Sequence, residues 1–222
     1  MHSAQRRVIG LTPSKLKAAH QDLILDASVL INLLGTGRAG VVLKALNRNV
    51  LVDEIALREV TIDPSTMKSP ADVLSELRKH NLIRVVSLND DAYEIFIGLT
   101  GGDPPDDLDD GEAATLAQAA FGNYAAVIDE RKATRVAGMQ FPRVALLNSM
   151  DLLTAQEVFQ QTSGAAVADV VYLALRNARM RVRHSDRTWI IALLGDDRAR
   201  ECPSLGLPAR KGDSSSSLEA TT

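Results

Sequence analysis

Leu23-Ile24-Leu25-Asp26-Ala27-Ser28-Val29-Leu30-Ile31-Asn32 reads as a buried apolar strand that ends on an acid and passes directly into a helix. Asp129 repeats the arrangement: Ala125-Ala126-Val127-Ile128 is a second short apolar strand, and residues 130–137 form the helix after it. In an open α/β sheet the ligand crevice lies at the carboxyl ends of the strands, so aspartates ending two neighbouring parallel strands point into one pocket. Carboxylates placed there attract a hard cation. Magnesium and manganese prefer carboxylate oxygens and water, and magnesium keeps several of its waters when bound. One cysteine and four scattered histidines offer no zinc-ligand spacing.

Two glutamates extend the set. Glu112 lies in Asp109-Asp110-Gly111-Glu112-Ala113-Ala114, where an acidic turn opens an alanine-rich helix. A carboxylate in a first helical turn is favoured by the helix dipole alone, by about 0.3–1 kcal/mol, so capping competes with ligation as its explanation. Glu59 closes a short helical stretch, residues 54–60, after the apolar segment Val50-Leu51-Val52. Taken by itself it is an ordinary surface glutamate. A lone acid at a strand end is more often a cap or turn residue than a ligand; the combination is what points to a metal site.

Strand and helix alternate from residue 22 to about 160, the pattern of an α/β domain. Helices are expected at 69–79 and 90–99, with a strand at 82–86. Residues 101–111, rich in Gly, Pro and Asp, read as a loop. Its five aspartates fit a solvated loop better than further ligands, although it leads straight into Glu112 and is placed to cover the site. The expected divisions are a lead-in over 1–21 with a short helix at 13–20, a principal domain over 22–162, a helical extension over 163–200 and a disordered tail over 201–222. Within the extension, apolar spacing predicts one helix at 164–177 and a second after Ser185-Asp186. The serine run 214–217 marks the tail.

In order and spacing, Asp26-Ala27-Ser28 with Asn32, then Glu59, then Gly111-Glu112-Ala113, then Ile128-Asp129-Glu130 with Arg135 and Ala137, resembles the PIN-domain nucleases. The nearest likeness is to an uncharacterised prokaryotic PIN-like branch related to the VapC-type toxins of toxin–antitoxin systems. The resemblance covers roughly residues 20 to 160. It implies a three-layer α/β/α domain with a central parallel sheet, followed here by carboxyl-terminal helices, and a metal-dependent endoribonuclease activity. Carried over by position, Asp26, Glu112 and Asp129 are the catalytic ligands of Mg2+ or Mn2+, and Glu59 is a fourth. Ser28 and Asn32 support the cluster, Asn32 being equally explained as a buried hydrogen-bonded polar residue. Asp151 is an auxiliary acid on this reading, or simply a charge suited to a helix start. Where the family has a Gly-Thr turn after the last strand, this chain has Asn148-Ser149, a departure expected to leave the ligands untouched.

Such a site would lower the pKa of a water, orient it in line with a phosphodiester and neutralise charge on the phosphate oxygens. No Gly-x-Ser-x-Gly elbow, P-loop or Cys/His pair offers another route. The implied partners are an RNA substrate, an antitoxin protein and further copies of the chain. Two other readings stay open: a non-catalytic PIN-like module that binds protein or RNA, and a magnesium-dependent phosphatase or DNA nuclease. The net charge of −3 argues against a uniformly basic nucleic-acid surface. The only basic concentration is Arg176, Arg179, Arg181, Arg183 and Arg187, expected either to hold RNA or an acidic partner segment or to decorate a helix end. A single cysteine and no apolar run near 20 residues lead us to expect no disulfide framework and no membrane span, and a cytoplasmic setting.

Overall fold

The computed structural model describes residues 14–20, 22–101 and 106–208. The chain runs β1 (Asp22–Leu25), α1 (Ala27–Gly35), α2 (Ala39–Leu46), β2 (Asn49–Asp53), α3 (Glu54–Glu59), α4 (Ala71–Lys79), β3 (Arg84–Val86), α5 (Asp90–Thr100) and α6 (Asp110–Gly122). It continues with β4 (Ala125–Val127), α7 (Arg131–Gln140), β5 (Leu146–Leu147) and α8 (Ser149–Leu153). Four helices follow: α9 (Gln156–Gln161), α10 (Gly164–Asn177), α11 (Arg187–Leu194) and α12 (Asp196–Arg200).

All five strands are parallel, in the order β3-β2-β1-β4-β5. Alternate strand residues serve opposite faces, as a period of two requires. Leu23, Leu25, Val50, Val52 and Val127 join one core with α1, α2 and the helices from α8 onward. Ile24, Leu51, Ala126 and Ile128 join another with α5, α6 and α7. Both faces of the sheet are thus covered, which gives the three-layer α/β/α arrangement with its parallel centre. Helix α6 explains its own composition: every residue from Gly111 to Ala119 is buried, and small side chains let it sit against neighbours on most of its circumference.

The strand order places a switch point between β1 and β4, because the chain builds outward from β1 to β2 and β3 and then returns to add β4 on the other side. Leu25 is level with Val127, and the Asp26 N–H donates to the Val127 carbonyl at 3.1 Å. Asp26 and Asp129 therefore leave adjacent strand ends at the crevice where open α/β sheets bind ligands.

Some expectations need adjustment. The helix expected at 13–20 does not form over 14–20, which is irregular with one turn; Pro13 lies outside the described residues. Instead Ser14 Oγ donates to the Asp151 carbonyl at 2.6 Å and Lys15 N–H to Asp151 Oδ1 at 2.7 Å, ties that hold this segment extended. Residues 201–208, assigned to the tail, pack onto the domain through buried Cys202 and Leu205. The remainder of that tail, 209–222, lies outside the described residues, as do 102–105 of the acidic loop. Among the described residues no single helix is long and apolar enough to cross a membrane.

Asp151 is the clearest buried polar anchor of this part of the fold. With no exposure, it forms a capping box with Asn148, accepts from Lys15 N–H and lies 3.5 Å from Arg183 Nη2. It is not one of the residues lining the acid cavity described below. Replacing it by alanine removes a cap and leaves buried donors unsatisfied, so Asp151→Ala should lower the unfolding free energy in urea by roughly 2–4 kcal/mol. A loss below about 0.5 kcal/mol, the scale of an ordinary surface substitution, would show that these contacts are dispensable.

Candidate metal centre

Asp26, Glu59, Glu112 and Asp129 all line one cavity of about 370 Å3 at the carboxyl edge of the sheet, together with Asp109 and Glu130. Each acid arrives by a different route. Asp26 is the N-cap of α1 and accepts from Ser28 N–H at 3.2 Å and Ser28 Oγ at 2.5 Å. Glu59 ends α3, and Asp109 and Glu112 lie at the start of α6. Asp129 follows β4, with Oδ1 taking Ser149 N–H at 2.9 Å and Oδ2 taking Ser149 Oγ at 2.6 Å and Asn32 Nδ2 at 2.7 Å.

Ser28 and Asn32 both donate to acids of this cavity, Ser28 to Asp26 and Asn32 to Asp129. Asn32 does both of the things expected of it, since it is buried and also bridges Asp129 and Ser149. The Asn148-Ser149 turn is not a bystander. Ser149 makes two of the three hydrogen bonds to Asp129, so the turn fixes the acid directly. Glu112 is not the N-cap, which is Asp109, accepting from Glu112 N–H at 2.9 Å; Glu112 lies in the first turn of α6, where the helix dipole also favours its charge. Glu112 Oε2 is buried and has no hydrogen-bond partner.

The cavity carries more negative charge than its own donors can balance. Burial, reinforced by Asp109 and Asp26, lifts the Glu112 carboxyl from 4.5 to about 7. Burial likewise raises Asp26 and Asp129, against the lowering effect of their serine donors. Glu59 is raised by burial first and then by Asp109 and Asp26. Among the described residues no three Asp, Glu, His or Cys side chains are drawn together closely enough to encircle an ion as they stand. Asp26, Asp109 and Asp129 instead accept from local donors.

The donor set nevertheless fits a divalent ion. The available atoms are carboxylate oxygens, the choice of magnesium and manganese. An orphaned buried oxygen on Glu112 with a raised pKa is a group that a cation would satisfy. Gly111 makes room for the arrangement. A Cβ built there would stand 2.3 Å from Glu59 Oε1 and 2.8 Å from its Cδ, so only glycine lets the Glu59 carboxylate rest against the start of α6.

The opposite wall comes from the chain after α10. Asn177 Nδ2 donates to the Gly35 carbonyl at 2.8 Å, and a Cβ on Gly35 would meet Ala178 Cβ at 2.7 Å, so the end of α10 sits tightly on the end of α1. Arg179 takes a left-handed φ of 53° and Met180 is buried, which carries the segment 178–181 across the cavity mouth. The five arginines separate by role, Arg187 reaching the Gly206 carbonyl at 3.4 Å. Arg179 lines the cavity and makes no ion pair among the described residues. Arg181 lines it while pairing with Glu130. Arg183 is held by Asp186 at 2.6 Å and by Asp151. Arg176 lies elsewhere, over the Tyr172 ring and 3.9 Å from Glu201.

Two cavity acids, and one strand-end acid outside the cavity, escaped the sequence reading. Asp109 stands three residues before Glu112, the spacing of a capping box, and that signal separates it from the loop aspartates. Glu130 follows Asp129 and was visible only as a helix start. Asp53 ends β2 as Asp26 ends β1, level with it in the register, yet it is wholly buried and caps α3 while accepting from Gln118 Nε2 at 2.8 Å. Its strand-end position was readable, and its structural role was not.

A PIN-domain family model matches residues 22–141, more than half of the chain. The protein belongs to the PIN-domain family. PIN domains are generally nucleases, act on nucleic acid and usually use divalent metal ions. No curated protein matches the chain.

Two expectations follow from the charge crowding. Because the Glu112 pKa is raised on folding, its contribution to stability is whole below about 4.5 and is lost as pH rises through about 7. Glu112→Gln should therefore raise the melting temperature of the ion-free protein at pH 8, with a gain that shrinks as pH falls toward 4.5; an equal gain at both pH values would contradict the crowding. Gly111→Ala should displace the Glu59 carboxylate and weaken Mn2+ binding, measured by calorimetric titration, by roughly 10-fold or more. Unaltered affinity would remove Glu59 from the ligand set.

Proposed function

We propose that this PIN-domain protein is a metal-dependent endoribonuclease that hydrolyses phosphodiester bonds in RNA. The observation that carries the reading is the meeting of Asp26, Glu59, Asp109, Glu112 and Asp129 in one cavity at the switch point of a parallel sheet, with a buried Glu112 oxygen left unpartnered. Asp26, Glu112 and Asp129 would hold Mg2+ or Mn2+, with Glu59 and Asp109 beside them. When bound, the ion supplies charge neutralisation for the phosphodiester and lowers the pKa of the attacking water.

The residues of the chain have distinguishable tasks. Ser28 fixes Asp26, and Ser149 with Asn32 fixes Asp129, so the two strand-end acids are oriented before any ligand arrives. Both serine hydroxyls donate to the carboxylates they orient. Burial raises the Glu112 carboxyl to about 7, and its unpartnered Oε2 would be among the atoms that hold the ion. Arg179, without a carboxylate partner, presents its guanidinium to a phosphate oxygen and offsets the repulsion between the acids and a polyanion. The cavity lies within the roughly 300–1,000 Å3 range of small-ligand sites, room enough for a phosphate and its flanking sugar.

The likeness to toxin ribonucleases supports a cytoplasmic toxin of a toxin–antitoxin pair, or a related RNA-processing or defence enzyme. A short upstream reading frame encoding a DNA-binding protein would support the first. A second reading has a specific observation in its favour: Asp26 and Asp109 also serve as N-caps, which is all that a non-catalytic binding module would require of them.

Cleavage separates the readings. Single-stranded RNA should be cut in Mg2+ or Mn2+, and cutting should fall to background in EDTA, in Asp26→Asn and in Asp129→Asn, where the amide keeps the size but not the charge. Single-stranded DNA assayed in parallel tests the preference for RNA. Activity that persists in EDTA, or in both variants purified free of contaminating nuclease, would exclude the metal mechanism.

A further inference from the structure

The sign of the charge reverses across Asp129. On one side lies the acid cavity, where six carboxylates meet only Arg179 and Arg181. On the other side Asp129 is also a wall of two adjoining cavities, of about 430 and 440 Å3, and in these it is the only acid. Arg131, Arg183 and Asn148 line both of them, with Arg181 added in the first and Lys15 and Arg135 in the second. Together they form a basic groove that starts where the acid cavity ends.

Not every cation there is free to act. Arg183 is neutralised by Asp186 and Asp151, Arg181 pairs with Glu130, and Arg135 pairs with Asp106 at 2.5 Å. Arg131 is exposed and has no hydrogen bond or ion pair among the described residues. It opens α7, whose N-cap residue Glu130 makes no side-chain capping bond. The described lining of the groove contains no aromatic side chain, hence no platform on which a base would stack. What remains is chemistry suited to phosphate and sugar: guanidinium groups and the Asn148 amide. The other basic cavity, with Arg78 and Arg84, lies at the start of β2 beside β3 and shares no wall with the acids.

We propose that the groove between the start of α7 and the segment 181–183, with Arg131 as its principal cation, binds the sugar–phosphate backbone of a nucleic-acid strand to one side of the acid cavity, without reading its bases. The proposal rests on the nuclease reading for the identity of the strand. The groove gives that strand a direction of exit, past Asp129, and makes the site one-sided. Because Arg131 meets phosphates, which RNA and DNA share, strands of both kinds with the same sequence respond alike to its replacement.

The test is binding, which needs no cleavage. Fluorescence anisotropy of a labelled 12-nucleotide single-stranded RNA and of the matching DNA, titrated in EDTA at several salt concentrations, is compared for the full chain and its variants. Arg131→Ala should weaken binding of both strands about three- to tenfold and reduce the salt slope by about 0.7, the value of one phosphate contact on a single strand. Arg131→Glu should weaken it further. Arg143→Ala, an exposed arginine outside the described lining of the groove, is the control and should match the wild type. Unchanged affinity and slope in both Arg131 variants would overturn the proposal. So would an equal loss in Arg143→Ala, which would reduce the effect to overall charge, or a loss confined to RNA. A wild type that binds both strands in this way but cuts neither in Mg2+ or Mn2+ defeats the nuclease reading and leaves the groove standing.

Discussion

Burial of carboxylates at one edge of the sheet, reinforced by repulsion among them, is the constraint around which the functional end of this molecule is built. Parallel strands that finish at one edge bring Asp26 and Asp129 together, and α3 and α6 add Glu59, Asp109 and Glu112. Such a cluster costs stability, since burying charge without a partner is unfavourable. The protein meets that cost with local donors: Ser28 for Asp26, Ser149 and Asn32 for Asp129, and the first-turn N–H of Glu112 for Asp109. Glu112 receives none at Oε2 and responds by holding its proton to about pH 7.

The carboxyl-terminal helices belong to the same account. Helix α10 is seated on α1 through Gly35 and Asn177, and the segment after it crosses the acid cavity before turning along the basic groove. That stretch brings Arg179 and Arg181 to the wall of the acid cavity. Of its arginines, Arg183 is structural, Arg181 is a bridge to Glu130 and Arg179 alone faces the acids unpaired.

Much of this was legible in the sequence because it depends on local patterns. Apolar runs ending in Asp26 and Asp129 fixed the strands, the edge and the pocket, and the helix at 164–177 has the boundaries that its apolar spacing predicts. Residue pairs far apart in sequence were not legible. Nothing near Ser149 shows that its hydroxyl reaches Asp129, twenty positions earlier, or that Asn32 bridges the two. Asp53 illustrates the limit from the other side: its pattern matches that of Asp26, and only the approach of Gln118 from α6 makes it a buried anchor instead of a cavity acid. Similarly, the fate of each arginine depends on which acid the fold brings beside it.

Anomalous diffraction from crystals equilibrated with Mn2+ tests the central claim most directly. The account predicts a manganese peak in the acid cavity, with carboxylate oxygens of Asp26, Glu112 and Asp129 moved to within about 2.0–2.6 Å of it, the range of hard-cation coordination. A cavity without a peak at saturating Mn2+, with the acids still turned to Ser28, Ser149 and Asn32, would contradict it and leave these residues as caps and anchors.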